Sequence, residues 1–349
     1  MKNINFNTIW LALTYNCNNK CNWCYANSNN LTQRQVFPEQ YKDGTIGLLK
    51  SLGIKRTILI GGEPTIYPNL FGIIKEISDS GISIGLVSNG RRLSDYHFAQ
   101  GLKDSGLKAM SISFGSYSRE IQDELTGING SFDEAMNGLK NALSVGLKVS
   151  SNTVITRDNL GDLEKIVDVF GNKVDTMTWN FCGVCLSEDS NNDSVLSPRE
   201  TAKAIQRVYD YTKKKEVKMK VVTPMPFCVF DKNYLEAFKK EGIISGGPCQ
   251  LAHGKNFVIE YNGNVIPCTH FNGFPMMNLF DNGKVISKEK FLEEYFNPNG
   301  LSYKFRKTIS RFPSEKCEDR NCQEPCTGGC PLIYKLFKPE EVIINNEQR

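Results

Sequence analysis

Short apolar runs rich in β-branched residues alternate with amphipathic helical patterns over the first half of the chain. The apolar runs predict six strands, at residues 8–13, 57–60, 83–87, 109–113, 148–155 and 174–181. The intervening stretches predict helices at 38–51, 70–80, 94–105, 132–144 and 160–170. Strands that alternate with helices usually pair in parallel. The pattern therefore predicts an α/β sheet or barrel over residues 1–182.

The second half of the chain has a different pattern. Ser197, Pro198 and Glu200 have the spacing of a capping box and predict a helix over 198–215. Further on, Asn262 and Gly263 predict a type I′ hairpin between 257–261 and 265–266. We therefore divide this half into a linker with helices, 183–248, and a small cysteine-rich domain with a tail, 249–349.

Composition narrows the class of protein without identifying it. The 349 residues hold 42 Lys and Arg against 38 Asp and Glu, and this net charge of +4 gives no reason to expect nucleic acid as a partner. The longest apolar stretch near the N-terminus is too short to span a bilayer, so no membrane partner is expected. Twelve cysteines without a secretory start predict a cytoplasmic protein that uses them for metal rather than disulfides.

Three cysteines, Cys17, Cys21 and Cys24, are spaced Cys-x3-Cys-x2-Cys. Soft thiolates suit iron–sulfur clusters, and three ligands for a four-iron cube leave one iron open for a catalytic partner. A zinc knuckle or disulfides would be the structural alternatives. Zinc prefers a fourth nearby ligand, whereas the next cysteine is Cys182.

This loop, with Trp23 directly before its third cysteine, resembles the signature of the radical S-adenosylmethionine (SAM) enzymes. The resemblance implies a partial (β/α)6 TIM-type barrel and a [4Fe–4S] cluster held by the three cysteines. Its open iron would chelate SAM, which an electron cleaves to a 5′-deoxyadenosyl radical. A reducing donor such as flavodoxin or ferredoxin is implied as a partner.

Further matches to that family fall at the predicted strand ends. Gly61-Gly62-Glu63-Pro64 matches the motif that binds the amino group of SAM, although a turn with proline at a helix start is an alternative. The resemblance implies further cofactor contacts, at Trp23, Ser88, Asn89, Ser113, Asn152 and Val154. The chain departs from many relatives after the fourth strand, where Phe114-Gly115-Ser116 replaces Leu-Asp-Gly.

A second group of cysteines lies near the C-terminus and resembles the SPASM domain, which carries auxiliary [4Fe–4S] clusters. The metal ligands it implies are Cys249, Cys268, Cys317, Cys322, Cys326 and Cys330. The analogy assigns Cys249, Cys268 and Cys330 to one cluster. It assigns Cys317, Cys322 and Cys326 to another. Each set is one thiolate short, and His253 or His270 could complete one. The resemblance therefore implies one or two auxiliary clusters.

Three further cysteines keep several interpretations open. Cys182 and Cys185 form a CxxC pair that could be redox-active, bind metal or be inert buried thiols. Cys228 could be a buried apolar residue, a cluster ligand or a catalytic hydrogen-atom donor. His97 is predicted to be structural.

We therefore expect a radical SAM oxidoreductase that abstracts a hydrogen atom from a ribosomally made peptide, leading to epimerisation, a thioether or a carbon–carbon crosslink. A small-molecule substrate is the alternative within this class, and a noncatalytic iron–sulfur electron carrier is the alternative outside it. The 16 residues before Cys17 do not suffice for a leader-peptide-binding domain. Thr269 stands where sulfatase-maturing relatives have aspartate, which argues against that subclass.

Overall fold

The computed structural model describes residues 6–26, 35–181, 192–244, 249, 254–309, 326 and 328–342. Seven strands in these ranges pair in parallel, each with the next: β1 (Thr8–Thr14), β2 (Arg56–Gly61), β3 (Ser83–Ser88), β4 (Ala109–Ser113), β5 (Lys148–Ile155), β6 (Thr176–Phe181) and β7 (Met219–Val221). The parallel α/β architecture is confirmed. β7 extends the sheet into the segment that we predicted as a linker.

The helices of the described ranges are α1 (Lys42–Ser51), α2 (Leu70–Asp79), α3 (Tyr96–Asp104), α4 (Arg119–Thr126), α5 (Ser131–Ser144), α6 (Leu163–Phe170), α7 (Pro198–Lys214), α8 (Lys232–Glu241), α9 (Lys288–Phe296), α10 (Leu301–Ile309), α11 (Ile333–Leu336) and α12 (Pro339–Val342). The capping box before α7 forms as predicted. Glu200 N donates to Ser197 Oγ at 3.2 Å, and Ser197 N donates to Glu200 Oε2 at 2.9 Å.

Residues alternate along β2, β4, β5 and β6 between a face covered by helices and an open face. Leu59, Ile112 and Trp179 are fully buried on the covered face. On the opposite face Ser113 and Asn152 remain partly exposed although they lie in the middle of the sheet. The sheet therefore encloses an open lumen, and chemistry in such barrels sits at the carboxyl ends of the strands.

The C-terminal part joins the same sheet at its other edge. Strand β8 (Val258–Ile259) pairs in parallel with β1, and β9 (Asn264–Ile266) and β10 (Met277–Asn278) follow antiparallel. A separate two-stranded sheet pairs β11 (Phe280–Asp281) with β12 (Lys284–Val285). Backbone hydrogen bonds therefore connect the cysteine-rich part to the strand that leads into the first cysteine loop.

The hairpin between β8 and β9 forms, but its predicted type I′ turn is wrong. Gly263 N donates to Glu260 O at 2.9 Å, and Gly263 has φ +81°. Asn262 does not have the positive φ that a type I′ turn would need. The strands are instead joined by a three-residue loop, 261–263, with Gly263 in the left-handed conformation. Such loops are compatible with the twist of the two strands.

No helix of the described ranges combines the length and the apolar character needed to cross a lipid bilayer.

Candidate functional site

The end of β2 packs directly against the start of the cysteine loop, residues 15–26, which follows β1. Gly62 N donates to Thr14 O at 2.8 Å, and Glu63 N donates to Asn16 O at 2.9 Å. A Cβ on Gly61 would lie 2.0 Å from Thr14 O, and one on Gly62 would lie 2.3 Å from Tyr15 O. The two glycines therefore allow close contact between two parts of this chain, whereas the motif alone suggested close approach to a ligand.

The cysteine loop brings its three thiols into electrostatic contact. Burial, followed by the nearby Glu63 and Cys24, raises the pKa of Cys17 to about 12. Burial also raises the pKa of Cys21, with contributions from Cys24 and Cys17. Ionising such a group of thiols is unfavourable unless positive charge is close. The donor set fits an iron–sulfur cluster, whose irons supply that charge.

Within the described ranges, no three Cys, His, Asp or Glu side chains are arranged to hold a single metal ion. One tetrahedral ion would draw its thiolates to about 2.3 Å from a common centre. A four-iron cube holds its cysteine sulfurs further apart.

Glu63 is the most enclosed carboxylate of the site, with 1% of its surface exposed. Its Oε1 accepts hydrogen bonds from Thr65 N at 3.0 Å, Thr65 Oγ1 at 2.6 Å and Ser88 Oγ at 2.8 Å. Its Oε2 accepts one from Asn89 N at 2.7 Å. Burial raises the pKa of Glu63, while these hydrogen bonds act to lower it. The side chain caps the short helix Pro64–Ile66 and ties the end of β2 to the end of β3.

Asn89 and Arg91 connect this network to the cysteine loop. Asn89 Nδ2 donates to Asn18 Oδ1 at 2.7 Å. Arg91 donates to the carbonyl oxygen of Asn18 and, at 3.0 Å, to Asn19 Oδ1, and it pairs with Glu134. Sequence reasoning missed Arg91. Its position directly after Ser-Asn-Gly at a strand end is the only signal that could have indicated it.

The other residues predicted to bind the cofactor lie at neighbouring strand ends. Ser88 is buried, and its hydroxyl donates a hydrogen bond to Glu63. Trp23 lies against Gly115, just beyond β4. Asn152 Nδ2 donates to Ser113 Oγ at 3.4 Å across the lumen face of β4 and β5. Val154 is on the same face, paired with Asn180 of β6. Their contacts to SAM remain predictions.

Three of the C-terminal cysteines also come together. Burial raises the pKa of Cys268, and Cys330 and Cys249 raise it further. Cys330 has its pKa raised to about 12 by burial and by Cys249. Cys326 packs against the main core. The thiols of the trio are a donor set that fits a second cluster by the argument given for the first loop.

Cys228 lies on a short helix, Phe227–Val229, and is partly buried against the core. Cys330 N donates to Pro224 O at 2.9 Å, so the segment that carries Cys228 runs beside the C-terminal cysteines. His97 is exposed on α3. The predicted sites that lie outside the described residues are Cys182, Cys185, His253, Cys317 and Cys322.

The two cysteine sites meet along a seam. The Tyr25 ring, next to Cys24, lies 4.9 Å from the His270 ring, measured between centroids, and His270 is two residues after Cys268. The pKa of Tyr25 is raised by burial and then by Cys24, Cys17 and Cys268. Burial lowers the pKa of His270 to about 4, so the imidazole is neutral at pH 7. Sequence reasoning considered His270 only as a possible cluster ligand and missed Tyr25, because no local pattern shows which turn packs on which loop.

Comparison with known proteins agrees with this geometry. Residues 11–170 match the family model described as Radical SAM superfamily. A probable GTP 3′,8-cyclase of Sulfurisphaera tokodaii is 32% identical over 164 residues, which are 45% of this chain and 50% of that protein. The chain thus spans about half the length of this curated relative.

Two solved structures share the fold over almost the whole chain. Streptococcus suis SuiB bound to S-adenosylmethionine has a TM-score of 0.72 and 19% identity, covering 98% of this chain and 77% of SuiB. The structure of anSMEcpe with AdoMet and the Kp18Cys peptide has a TM-score of 0.71 and 16% identity, covering 97% of this chain and 92% of anSMEcpe. The partial-barrel fold predicted from the sequence is confirmed.

Proposed function

The chain belongs to the radical SAM superfamily, and from this premise we propose that it is an enzyme that cleaves SAM reductively and takes a hydrogen atom from a peptide. The observation that supports this most is that Cys17, Cys21 and Cys24 lie close together in the loop whose start is hydrogen-bonded to Gly62 and Glu63, with Cys17 near the Glu63 carboxylate. When bound, the cluster supplies the electron that cleaves SAM to methionine and a 5′-deoxyadenosyl radical. An electron carrier would need no such cofactor site beside its cluster.

The protein's own part is to bind and position SAM. Under this proposal the backbone of Gly61 and Gly62 receives the amino acid end of SAM, and Glu63 holds the turn in place through its four hydrogen bonds. Trp23 and Ser113 border the strand ends where the nucleoside would lie. Enclosure by these elements would keep water away from the radical.

The lumen favours a neutral substrate that hydrogen-bonds. We call six inward-facing polar residues of β4, β5 and β6 the polar wall: Ser111, Ser113, Ser150, Asn152, Thr178 and Asn180. Within the polar wall Asn180 Nδ2 donates to Asn152 Oδ1 at 2.5 Å, and Asn180 Oδ1 accepts from Thr223 Oγ1 at 2.9 Å. A side-chain amide carries two N–H donors and an acceptor oxygen, so asparagines in the wall are suited to pair with amide groups.

Among the described residues of β4 to β7, two lysines share the face of the polar wall. On the same face of β5 and β7, Lys148 lies at the amino end and Lys220 on the edge strand. A triphosphate such as that of GTP would call for clustered cations. A peptide backbone matches the wall better, and peptides are bound in the structures of SuiB with SuiA and of anSMEcpe with Kp18Cys.

We further propose a SPASM-like auxiliary domain over 249–349, a reducing donor such as flavodoxin or ferredoxin, and a cytoplasmic location. The grouping of Cys249, Cys268 and Cys330 supports an auxiliary cluster.

The substrate class is tested with deuterated compounds. Reconstituted protein, SAM and dithionite are incubated with deuterated synthetic peptides or with deuterated GTP, and 5′-deoxyadenosine is analysed by mass spectrometry. We expect deuterium from peptides and none from GTP, with Asn180→Leu raising the KM for peptide at unchanged SAM affinity. Deuterium from GTP alone would contradict the peptide proposal and leave the radical chemistry standing.

A further inference from the structure

One pair of rings spans the seam between the two cysteine sites. Tyr25 and His270 are both partly buried and tilted by 43° to each other. Tyr25 is covalently next to Cys24 of the first loop. His270 lies in the short helix Thr269–Phe271 that directly follows Cys268. The ring contact thus connects the loop that would hold the first cluster with the turn that would hold the second.

Tyr25 also reaches the turn proposed to bind SAM. Its hydroxyl donates to Gly61 O at 3.2 Å. Gly61 is the first residue of that turn and has φ +152°, where only glycine is readily accommodated. The position of the Tyr25 ring therefore fixes the direction of a carbonyl group at the edge of the SAM site.

The C-terminal side of the seam holds Tyr25 through more than one contact. The side chain of Thr269 hydrogen-bonds to the Tyr25 hydroxyl. Next to it, Asn272 Nδ2 donates to Ala26 O at 3.3 Å. Since these residues follow Cys268 closely in sequence, a shift of Cys268 would move the surface on which Tyr25 rests.

We infer that His270 is a positioning residue for SAM: it holds the Tyr25 ring so that the Tyr25 hydroxyl orients the Gly61 carbonyl. The inference rests on the SAM site proposed above. It makes the C-terminal thiol trio a second determinant of SAM affinity. By thermodynamic reciprocity, bound SAM then stabilises the arrangement of that trio.

A double-mutant cycle tests this route in anaerobically reconstituted full-length protein with matched iron content. SAM affinity is measured by equilibrium dialysis, and the change in the cluster's electron paramagnetic resonance spectrum on SAM addition is recorded alongside. Tyr25→Phe removes the hydroxyl and His270→Ala removes the ring contact. Each should weaken SAM binding by about two- to tenfold, the effect of one hydrogen bond. The double variant should be no weaker than the worse single variant, because both act on the same carbonyl.

Two further variants separate positioning from general damage. His270→Phe keeps a ring and should restore SAM affinity, and His97→Ala, at the exposed histidine on α3, should change nothing. Wild-type affinity in His270→Ala would overturn the inference, as would losses that multiply in the double variant. Loss of iron from His270→Ala that His270→Phe does not restore would assign His270 to the C-terminal thiol site instead. Failure of the wild-type protein to bind SAM would contradict the proposed function itself.

Discussion

At the scale of single residues, the Glu63 carboxylate joins two separate stretches of chain, the turn after β2 and the end of β3. It accepts hydrogen bonds from Thr65, Ser88 and Asn89, and it is almost fully enclosed. A carboxylate at this point satisfies four donors, which neither an amide nor an apolar group of the same size could do.

Glu63→Gln should therefore destabilise the fold. In the variant, the side-chain NH2 group replaces one oxygen that accepts hydrogen bonds in the wild-type protein, so donor faces donor. We therefore expect the free energy of unfolding to fall by about 1.5–3 kcal/mol. Urea denaturation of the metal-free protein measures this. Glu76→Gln is the control, since Glu76 is 40% exposed in a surface ion pair with Lys42 and should lose less than about 1 kcal/mol. Equal losses in the two variants would contradict the network.

Gly62 is tested by adding a single methyl group. A Cβ would lie 2.3 Å from Tyr15 O and 2.4 Å from Asn16 O, both backbone atoms. Gly62→Ala should displace the cysteine loop and lower iron binding, measured by iron analysis after reconstitution. Gly47→Ala, in α1, meets nothing within 4 Å and should leave iron binding unchanged. Normal iron content in Gly62→Ala would show that the two strand ends can separate without loss of the site.

The sequence predicted which residues form this turn but not what they contact. Gly61-Gly62-Glu63-Pro64 was recognisable as a motif, and Pro64 does begin a short helix. Two of the four donors to Glu63 belong to Ser88 and Asn89 at the end of β3, 25 and 26 residues further on. Such contacts depend on strand register, which a motif does not encode.

At the scale of elements, the cysteine loop is held from three sides. Lys20 N donates to Thr126 O at the end of α4, and Arg91 after β3 binds the loop through Asn18 and Asn19. On the third side the β8–β9 hairpin approaches, where Tyr15 Oη donates to Glu260 Oε1 at 2.7 Å. Both of these side chains are 2% exposed.

Tyr15→Phe removes the donor from the buried Glu260 carboxylate. We expect a loss of about 1–3 kcal/mol in the free energy of unfolding. We also expect faster amide hydrogen exchange in residues 15–26, followed by mass spectrometry. Tyr96→Phe, at a tyrosine that is 48% exposed, should have almost no effect on either measurement. Unchanged exchange in the loop would mean that the hairpin does not support it.

Elements with long periodic patterns were predictable, and short or polar ones were not. The first six strands and the helix after Ser197 follow from periodicity and capping. α4 has only eight residues, most of them polar, and β7 has three. Both depend on tertiary packing rather than on a local pattern.

At the scale of the whole molecule, one sheet links the two cysteine sites, because β8 adds directly to β1. The trio of Cys249, Cys268 and Cys330 lies beside the segment that carries Cys228, so among the described cysteines Cys228 is a candidate for a missing ligand. The ring contact between Tyr25 and His270 is a second connection between the two cysteine sites.

Iron analysis of cysteine variants tests the auxiliary site. Three [4Fe–4S] clusters would give about twelve irons per chain. We expect Cys228→Ala to keep that number, which would leave an iron position open to substrate. Cys249→Ala should lose about four irons. Loss of four in Cys228→Ala would instead make Cys228 a ligand, and about eight irons in the wild-type protein would mean one auxiliary cluster.

The central claim is that Cys17, Cys21 and Cys24 hold the cluster that cleaves SAM. The most direct measurement is the release of 5′-deoxyadenosine from reconstituted protein with SAM and dithionite, compared with a variant that has all three cysteines replaced by Ala. We predict release by the wild-type protein and none by the variant, which should still hold the iron of the C-terminal site. Release by the variant, or its loss of all iron, would contradict the assignment of the two sites.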